Sequence, residues 1–297
     1  MPIETISPEL KNIVTPDQDI EELGSGYQVA EGPLWWKEDG YLLFNEVRGD
    51  RRRQWSPNGG ITLLKEPSNN ANGLTRDRQG RLLLCEGGAN RVTRLEPDGS
   101  TTVVASNYRG IPLNRPNDVV VKSDGSIYFT DPWTSPLPAQ QWDLNFSGVY
   151  RLTPDLGTMT LLVDDFLVPN GLAFSPDESI LYINDSRRGH IRAFDMQPNG
   201  TLARASDRVF SDLRGDKPGV PDGMKVDVEG TVYCGGSGGI WIIDPLGNHL
   251  GTIEHGQSAT TNLAWGGDDW KTLFFTSRNT LGRVQSNVAG LPVPASR

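Results

Sequence analysis

The stretch PNGLAFSPDESILYIND, residues 169–185, decides the fold. A polar residue and a glycine, Asn170 and Gly171, lead into the apolar run Leu172, Ala173 and Phe174. Pro176 and Asp177 then mark a turn, and Ile180, Leu181, Tyr182 and Ile183 form a second apolar run. Two short strands joined by a tight turn are the reading, because Pro and Asp punctuate turns while β-branched and aromatic residues favour strands. The unit recurs as NGLTRDRQGRLLL (72–84), NDVVVKSDGSIYF (117–129) and DGMKVDVEGTVY (222–233). Weaker copies are EGPLWWKEDGYLLF (31–44) and NLAWGGDDWKTLFF (262–275). The leading residues fall at 31, 72, 117, 170, 222 and 262, with spacings of 41, 45, 53, 52 and 40.

Each interval holds about four short strands; the third reads as 117–121, 126–130, 148–152 and 159–163. Four strands in a repeat of roughly 40–50 residues make a propeller blade. The expected fold is therefore all-β: a six-bladed β-propeller with four-stranded blades around a central channel. The chain around Gly24–Ala30 is placed to close the ring by adding a strand to the last blade. Residues 1–23 read as an N-terminal extension and 24–297 as a single propeller domain. An open β-sandwich, the competing architecture, does not call for such regular repetition. No helical period is long enough for βαβ units.

Composition agrees. Gly 34 and Pro 21 are spread along the 297 residues, as many turns require. Lys+Arg 28 against Asp+Glu 37 gives a net charge of −9, without the basic footprint of a nucleic-acid binder or an attraction to anionic lipid. Arg51, Arg52 and Arg53 are the one dense basic run and read as a solvated turn. Two cysteines, Cys85 and Cys234, make no disulfide framework. With no apolar stretch of membrane length and no signal-peptide pattern in Met1–Gly24, the expected setting is cytoplasmic.

The first strand of a propeller blade lies nearest the axis, so equivalent positions converge at one mouth of the channel. All six anchors, Glu31, Asn72, Asn117, Asn170, Asp222 and Asn262, carry side-chain oxygen. Asn and Asp also cap strand ends as turn formers, which accounts for any single anchor more readily than for the whole ring. Two carboxylates with several amide oxygens suit a hard cation, and Ca²⁺ accepts about 6–8 oxygens in irregular geometry. Zn²⁺ would recruit His or Cys, and none of His190, His249 and His255 occupies an anchor. One divalent cation is therefore expected: Ca²⁺ first, with Zn²⁺, Mn²⁺ and Mg²⁺ as alternatives.

The motifs AEGPLW (30–35), RPND (115–118), PNGL (169–172) and PDGM (221–224) resemble those of the gluconolactonase/regucalcin family, also called senescence marker proteins. The resemblance runs from about Gly24 to about Val284. It implies metal ligation by Glu31, Asn170 and Asp222, with Asn117 approaching the metal or the substrate. It implies a substrate-binding role for Arg115, at a position where other members carry different residues, and a base or nucleophile role for Asp222. The implied reaction is hydrolysis of a sugar lactone, with Arg115, Asn117 and Asn72 holding the substrate. Asn184 and Asp185, at the end of the next strand, are further candidates for contact or for a turn.

Some features point elsewhere. GGSGG (235–239) matches a nucleophile elbow, but here it joins two strands, so Ser237 reads as a hairpin residue. Trp35, Trp133 and Trp265 read as pocket walls or, for at least two of them, as packing between blades. The long segment 132–146 reads as a lid or a variable surface loop. Two other functions remain open at this stage: another ester or organophosphate hydrolase or lyase on the same metal propeller, and a non-catalytic calcium- or protein-binding propeller. The expected partner is a small molecule, with no nucleic acid and no membrane. The sequence leaves the oligomeric state open.

Overall fold

The computed structural model describes residues 3–133, 144–256 and 259–294. The turn that follows five of the six inner strands shows how the repeat works locally. Asp77, Asp124, Asp177, Asp227 and Asp269 each accept through Oδ1 the backbone N–H two residues on, at 2.8–3.0 Å. A side chain that satisfies its own turn fixes the reversal from first strand to second.

Among the described residues the strands assemble into six antiparallel blade sheets and one two-stranded hairpin, Asn107–Tyr108 with Ile111–Pro112. Blade 1 is Ala30–Trp36, Tyr41–Glu46, Arg51–Ser56 and Gly60–Lys65, and blade 2 is Ala71–Arg76, Leu82–Glu86, Arg91–Leu95 and Thr101–Ala105. Blade 3 is Val119–Val121, Ile127–Asp131, Gly148–Leu152 and Met159–Val163. Blade 4 is Pro169–Phe174, Ile180–Asp185, His190–Asp195 and Arg208–Asp212. Blade 5 is Met224–Val226, Val232–Gly236, Gly239–Ile243 and His249–Ile253, with Ile3–Thr5 as a fifth, outermost strand. Blade 6 is Thr260–Gly266, Thr272–Ser277 and Thr280–Gln285, completed by Glu21–Ser25 from the other end of the chain. This pairing, Glu22 opposite Gly282 and Ser25 opposite Thr280, closes the ring. Closure leaves only short, protected edges.

The closing strand lies a few residues earlier than Gly24–Ala30, and part of the stretch before residue 24 is built into blades 5 and 6. The helix Leu10–Ile13 between those strands buries Leu10 and Ile13 against Tyr233, Ile240 and Leu250 of blade 5. No helix among the described residues is long and apolar enough to cross a membrane.

The core lies between blades. Trp35 of blade 1 stacks on Phe274 of blade 6 at 5.4 Å, and Trp265 meets Tyr233 of blade 5 edge-on at 4.8 Å. Both indoles thus serve inter-blade packing. Arg51, Arg52 and Arg53 correct the sequence reading. They open the third strand of blade 1 rather than forming a turn, because Arg51 has Glu66 at 3.1 Å and Arg53 has Glu46 at 2.7 Å as ion partners. Ser237 sits in the hairpin between Val232–Gly236 and Gly239–Ile243 and donates to the Lys217 carbonyl at 2.7 Å, so the elbow pattern is a strand reversal. Of the segment proposed as a lid, residues 134–143 lie outside the described residues.

Candidate active site

The anchors stand where each inner strand enters the ring, and the backbone there is irregular. β-Bulges fall between Glu31 and Leu34, Ala71 and Leu74, Pro169 and Leu172, and Thr260 and Asn262. A bulge puts two residues opposite one and re-aims side chains, a device common beside active sites. The glycine after the anchor lets neighbouring blades touch. Gly32 has φ +53°, and a Cβ there would run into the Asn72 carbonyl oxygen. A Cβ on Gly223 would collide with the Asn262 side chain.

Side chains of the second strands tie one blade's anchor to the next. Asn45 Nδ2 donates to the Asn72 carbonyl at 2.7 Å, Thr130 Oγ1 to the Asn170 carbonyl at 2.8 Å, and Asn184 Nδ2 to the Asp222 carbonyl. Thr261 Oγ1 donates to the Ala30 carbonyl at 2.6 Å, which carries the chain of contacts across the closure.

The structure brings Glu31, Asn170 and Asp222 together. Burial first, and then the charge of Asp118, push Glu31 up to about 8. Asp222 is raised well above the usual carboxylate range by burial and then by Glu31, with the Asn170 amide opposing the shift. Asp118 is raised by burial, offset by Lys225 and Asn262. Three acids, two of them ring anchors, thus share one desolvated volume, where ionised forms are costly without a compensating cation.

The hydrogen-bond ledger indicates what that cation would be. Asn72 Oδ1, Asn170 Oδ1, Asn184 Oδ1, Asp222 Oδ1 and Asp118 Oδ2 are buried with no hydrogen-bond partner. An orphaned buried polar group costs about 1–3 kcal/mol, so five in one region call for a ligand. All five are oxygens; Asn170 Oδ1 and Asp222 Oδ1 are donors of the kind a hard cation takes, and Asn72 Oδ1 is open to a substrate hydroxyl. Among the described residues no group of three or more His, Cys, Asp and Glu is assembled as a metal cage. An amide-rich oxygen set fits Ca²⁺ better than Zn²⁺.

Other expected site residues fall differently. Arg115 is exposed, and its backbone N–H is held by Asp131 Oδ1 at 2.7 Å. Asn117 is half-buried, and its carbonyl accepts the Gly73 N–H at 2.8 Å. Asp185 is fully buried, and its oxygens accept the N–H groups of Leu167, Val168, Arg187 and Arg188 at 2.8–3.2 Å. Asp185 therefore holds the loop ahead of Asn170, as Asp131 holds the loop ahead of Asn117, and a loop role accounts for its hydrogen bonds without a substrate.

Sequence reasoning placed Asn262 with the anchors, but the hydrogen bonds align Thr261 there. Gly223 N–H reaches the Thr261 carbonyl at 2.7 Å, just as Gly73 N–H reaches that of Asn117 at 2.8 Å. Asn262 then matches Asp118, and each accepts the next residue's N–H through Oδ1, at 2.8 and 2.9 Å. Asp118 and Lys225 were passed over, although both stand inside the repeated motifs; the signal was a charged residue at positions that are uncharged in the other blades.

Comparison with known proteins agrees with the fold. Residues 29–279 match the SMP-30/Gluconolactonase/LRE-like region. The chain is 31% identical to a gluconolactonase of Zymomonas mobilis over 97% of its own length and 87% of that protein. It is 27% identical to regucalcin of Xenopus laevis over 84% of its length and 83% of that protein. A solved gluconolactonase structure from Xanthomonas campestris superposes with a TM-score of 0.86 at 31% identity, covering 96% of this chain and 95% of that one.

Proposed function

Since this chain belongs to the SMP-30/gluconolactonase/LRE-like family, we propose that it is a lactonase that opens a sugar lactone at a single divalent cation in the channel mouth. The observation that carries the reading is the set of partnerless buried oxygens around the paired acids Glu31 and Asp222. Glu31, Asn170 and Asp222 would hold the ion, with Asn117 beside them. When bound, a divalent cation there keeps the carboxylates ionised and polarises the lactone carbonyl.

The chain's own residues supply the rest. Arg115, exposed at the mouth, and Asn72, with its free Oδ1, orient the hydroxyls of a small sugar lactone. Asp222 takes a proton from a water molecule as the water oxygen bonds to the lactone carbonyl carbon. The ring C–O bond then breaks, and the proton passes from Asp222 to the ring oxygen, giving the open hydroxy acid. Ca²⁺ is the ion the donor set favours, with Mg²⁺, Mn²⁺ and Zn²⁺ as competitors.

A substrate panel tests the reading. Chelated protein resupplied with each ion should hydrolyse five- and six-membered sugar lactones faster than linear esters or phosphotriesters. Turnover of phosphotriesters alone, or of nothing in the panel, would overturn it.

A further inference from the structure

Below the anchors an ammonium stands beside the ring. Lys225 stands on the inner strand of blade 5, and its Nζ lies 3.0 Å from the Met224 carbonyl oxygen and 3.5 Å from Asn262 Oδ1. The Asn262 side chain in turn packs on Gly223, the neighbour of Asp222, and its amide favours the ionised forms of Glu31 and Asp118. The Lys225 charge acts on both of these acids, yet among the described residues it forms no ion pair within 4.0 Å. Lys225 also lines the cavity of about 430 Å³ at the far end of the channel, whose walls include Leu34, Leu74, Val119, Leu172 and Trp265. Glu31, Asp118, Asp222 and Asn262 do not line it. Lys225 therefore joins the cavity wall to Asn262.

We propose that Lys225 is a built-in counter-cation that forms the floor of the ion site and sets the charge of the ion the site accepts. The inference rests on the reading of the mouth as an ion site and deepens it. The layer contains the three carboxylates of Glu31, Asp118 and Asp222 against the one ammonium of Lys225. Ionised together they lack two positive charges, which one divalent cation makes good. Without the ammonium they lack three. Lys225 thus opposes cation binding from below and keeps the site matched to a doubly charged ion. It is a positioning residue: it acts through Asn262, Glu31 and Asp118 and touches no substrate.

Calorimetric titration with Ca²⁺ and luminescence titration with Tb³⁺, a trivalent ion of similar size, test this on the wild type, K225M, K225Q and K225R, with folding checked by circular dichroism. K225M and K225Q should bind Ca²⁺ about tenfold more tightly, since a repelling charge in a poorly screened site is worth at least that much. Their affinity for Tb³⁺ should rise by a larger factor, and K225R should behave as the wild type. If K225M fails to fold, K225Q decides, because its amide keeps a donor for Asn262 and the Met224 carbonyl. Equal or weaker Ca²⁺ binding in a folded neutral variant overturns the proposal, as does an unchanged preference for Tb³⁺ over Ca²⁺. Failure of the wild type to bind either ion overturns the ion-site reading itself and this inference with it.

Discussion

The side-chain amide of Asn184 donates a hydrogen bond to the backbone carbonyl of Asp222, and so blade 4 fixes the position of the blade 5 anchor. The same Nδ2 lies 3.4 Å from the Cys234 sulfur, and Asn184 is fully buried. Its work is to hold the Asp222 backbone in place. Partners of this kind typically cost about 10–100-fold in metal affinity or activity when removed. Asn184→Ala should therefore weaken cation binding by a factor in that range with the lactone KM little changed. Calorimetric titration and steady-state kinetics on the same preparation check this.

The two ring carboxylates should respond differently to loss of charge. Asp222→Asn keeps an oxygen for the ion but removes the proton acceptor, so kcat should fall by about 10²–10⁴-fold. Saturating metal should not restore it. Glu31→Gln should mainly weaken ion binding, and excess metal should recover much of its rate. Kinetics of both variants across a metal titration separate these effects. Full rescue of Asp222→Asn by metal would reduce Asp222 to a ligand.

Arg115 and Asn72 are assigned to the substrate rather than to the ion. Hydrogen bonds to charged groups contribute about 1.5–3 kcal/mol. Arg115→Ala should thus raise the lactone KM about tenfold or more, with cation affinity close to wild type. Asn72→Ala should raise KM by less, since its contribution is a neutral amide. A change in ion affinity without a change in KM would reassign either residue.

The fold was legible because its units repeat. The Asn-Gly or Asp-Gly step at Asn72, Asn170 and Asp222, followed by an Asp-centred turn, reports a local hydrogen-bond pattern shared by blades 2 to 6 in the turn. Ring geometry pointed to convergence of all six anchors at one mouth, and the family resemblance singled out Glu31, Asn170 and Asp222 among them. Three kinds of information were not local. Ile3–Thr5 is a strand only because Gly251–Ile253 offers it an edge, and three residues carry no period. Blade 6 lacks the glycine after its anchor, so Asn262 imitated Asn170 while standing one residue out of register. Asp185 shared the polarity of a contact residue, and only the folded loop shows its oxygens taken by four backbone N–H groups.

Acidity should govern the fold without metal. Glu31 is raised from an ordinary 4.5 to about 8, so between those values the folded chain keeps a proton that the unfolded chain has released. Its contribution is fully favourable below about 4.5 and is lost as pH rises toward about 8. The melting temperature of chelated protein should therefore fall from about pH 5 to about pH 8. With saturating Ca²⁺ it should stay level or rise over the same range, because ligation favours the deprotonated acids. Thermal melts with and without chelator check this, and a chelated protein that gains stability across the range would contradict it.

The most direct test of the account is hydrolysis of a six-membered sugar lactone before chelation, after chelation with metal content measured, and after Ca²⁺ is restored. The account predicts that activity disappears with the ion and returns with it. The melting temperature should follow in parallel, since free ion at 100 times its dissociation constant adds about 2.7 kcal/mol of stability. Undiminished turnover by protein shown to be free of divalent metal would contradict it.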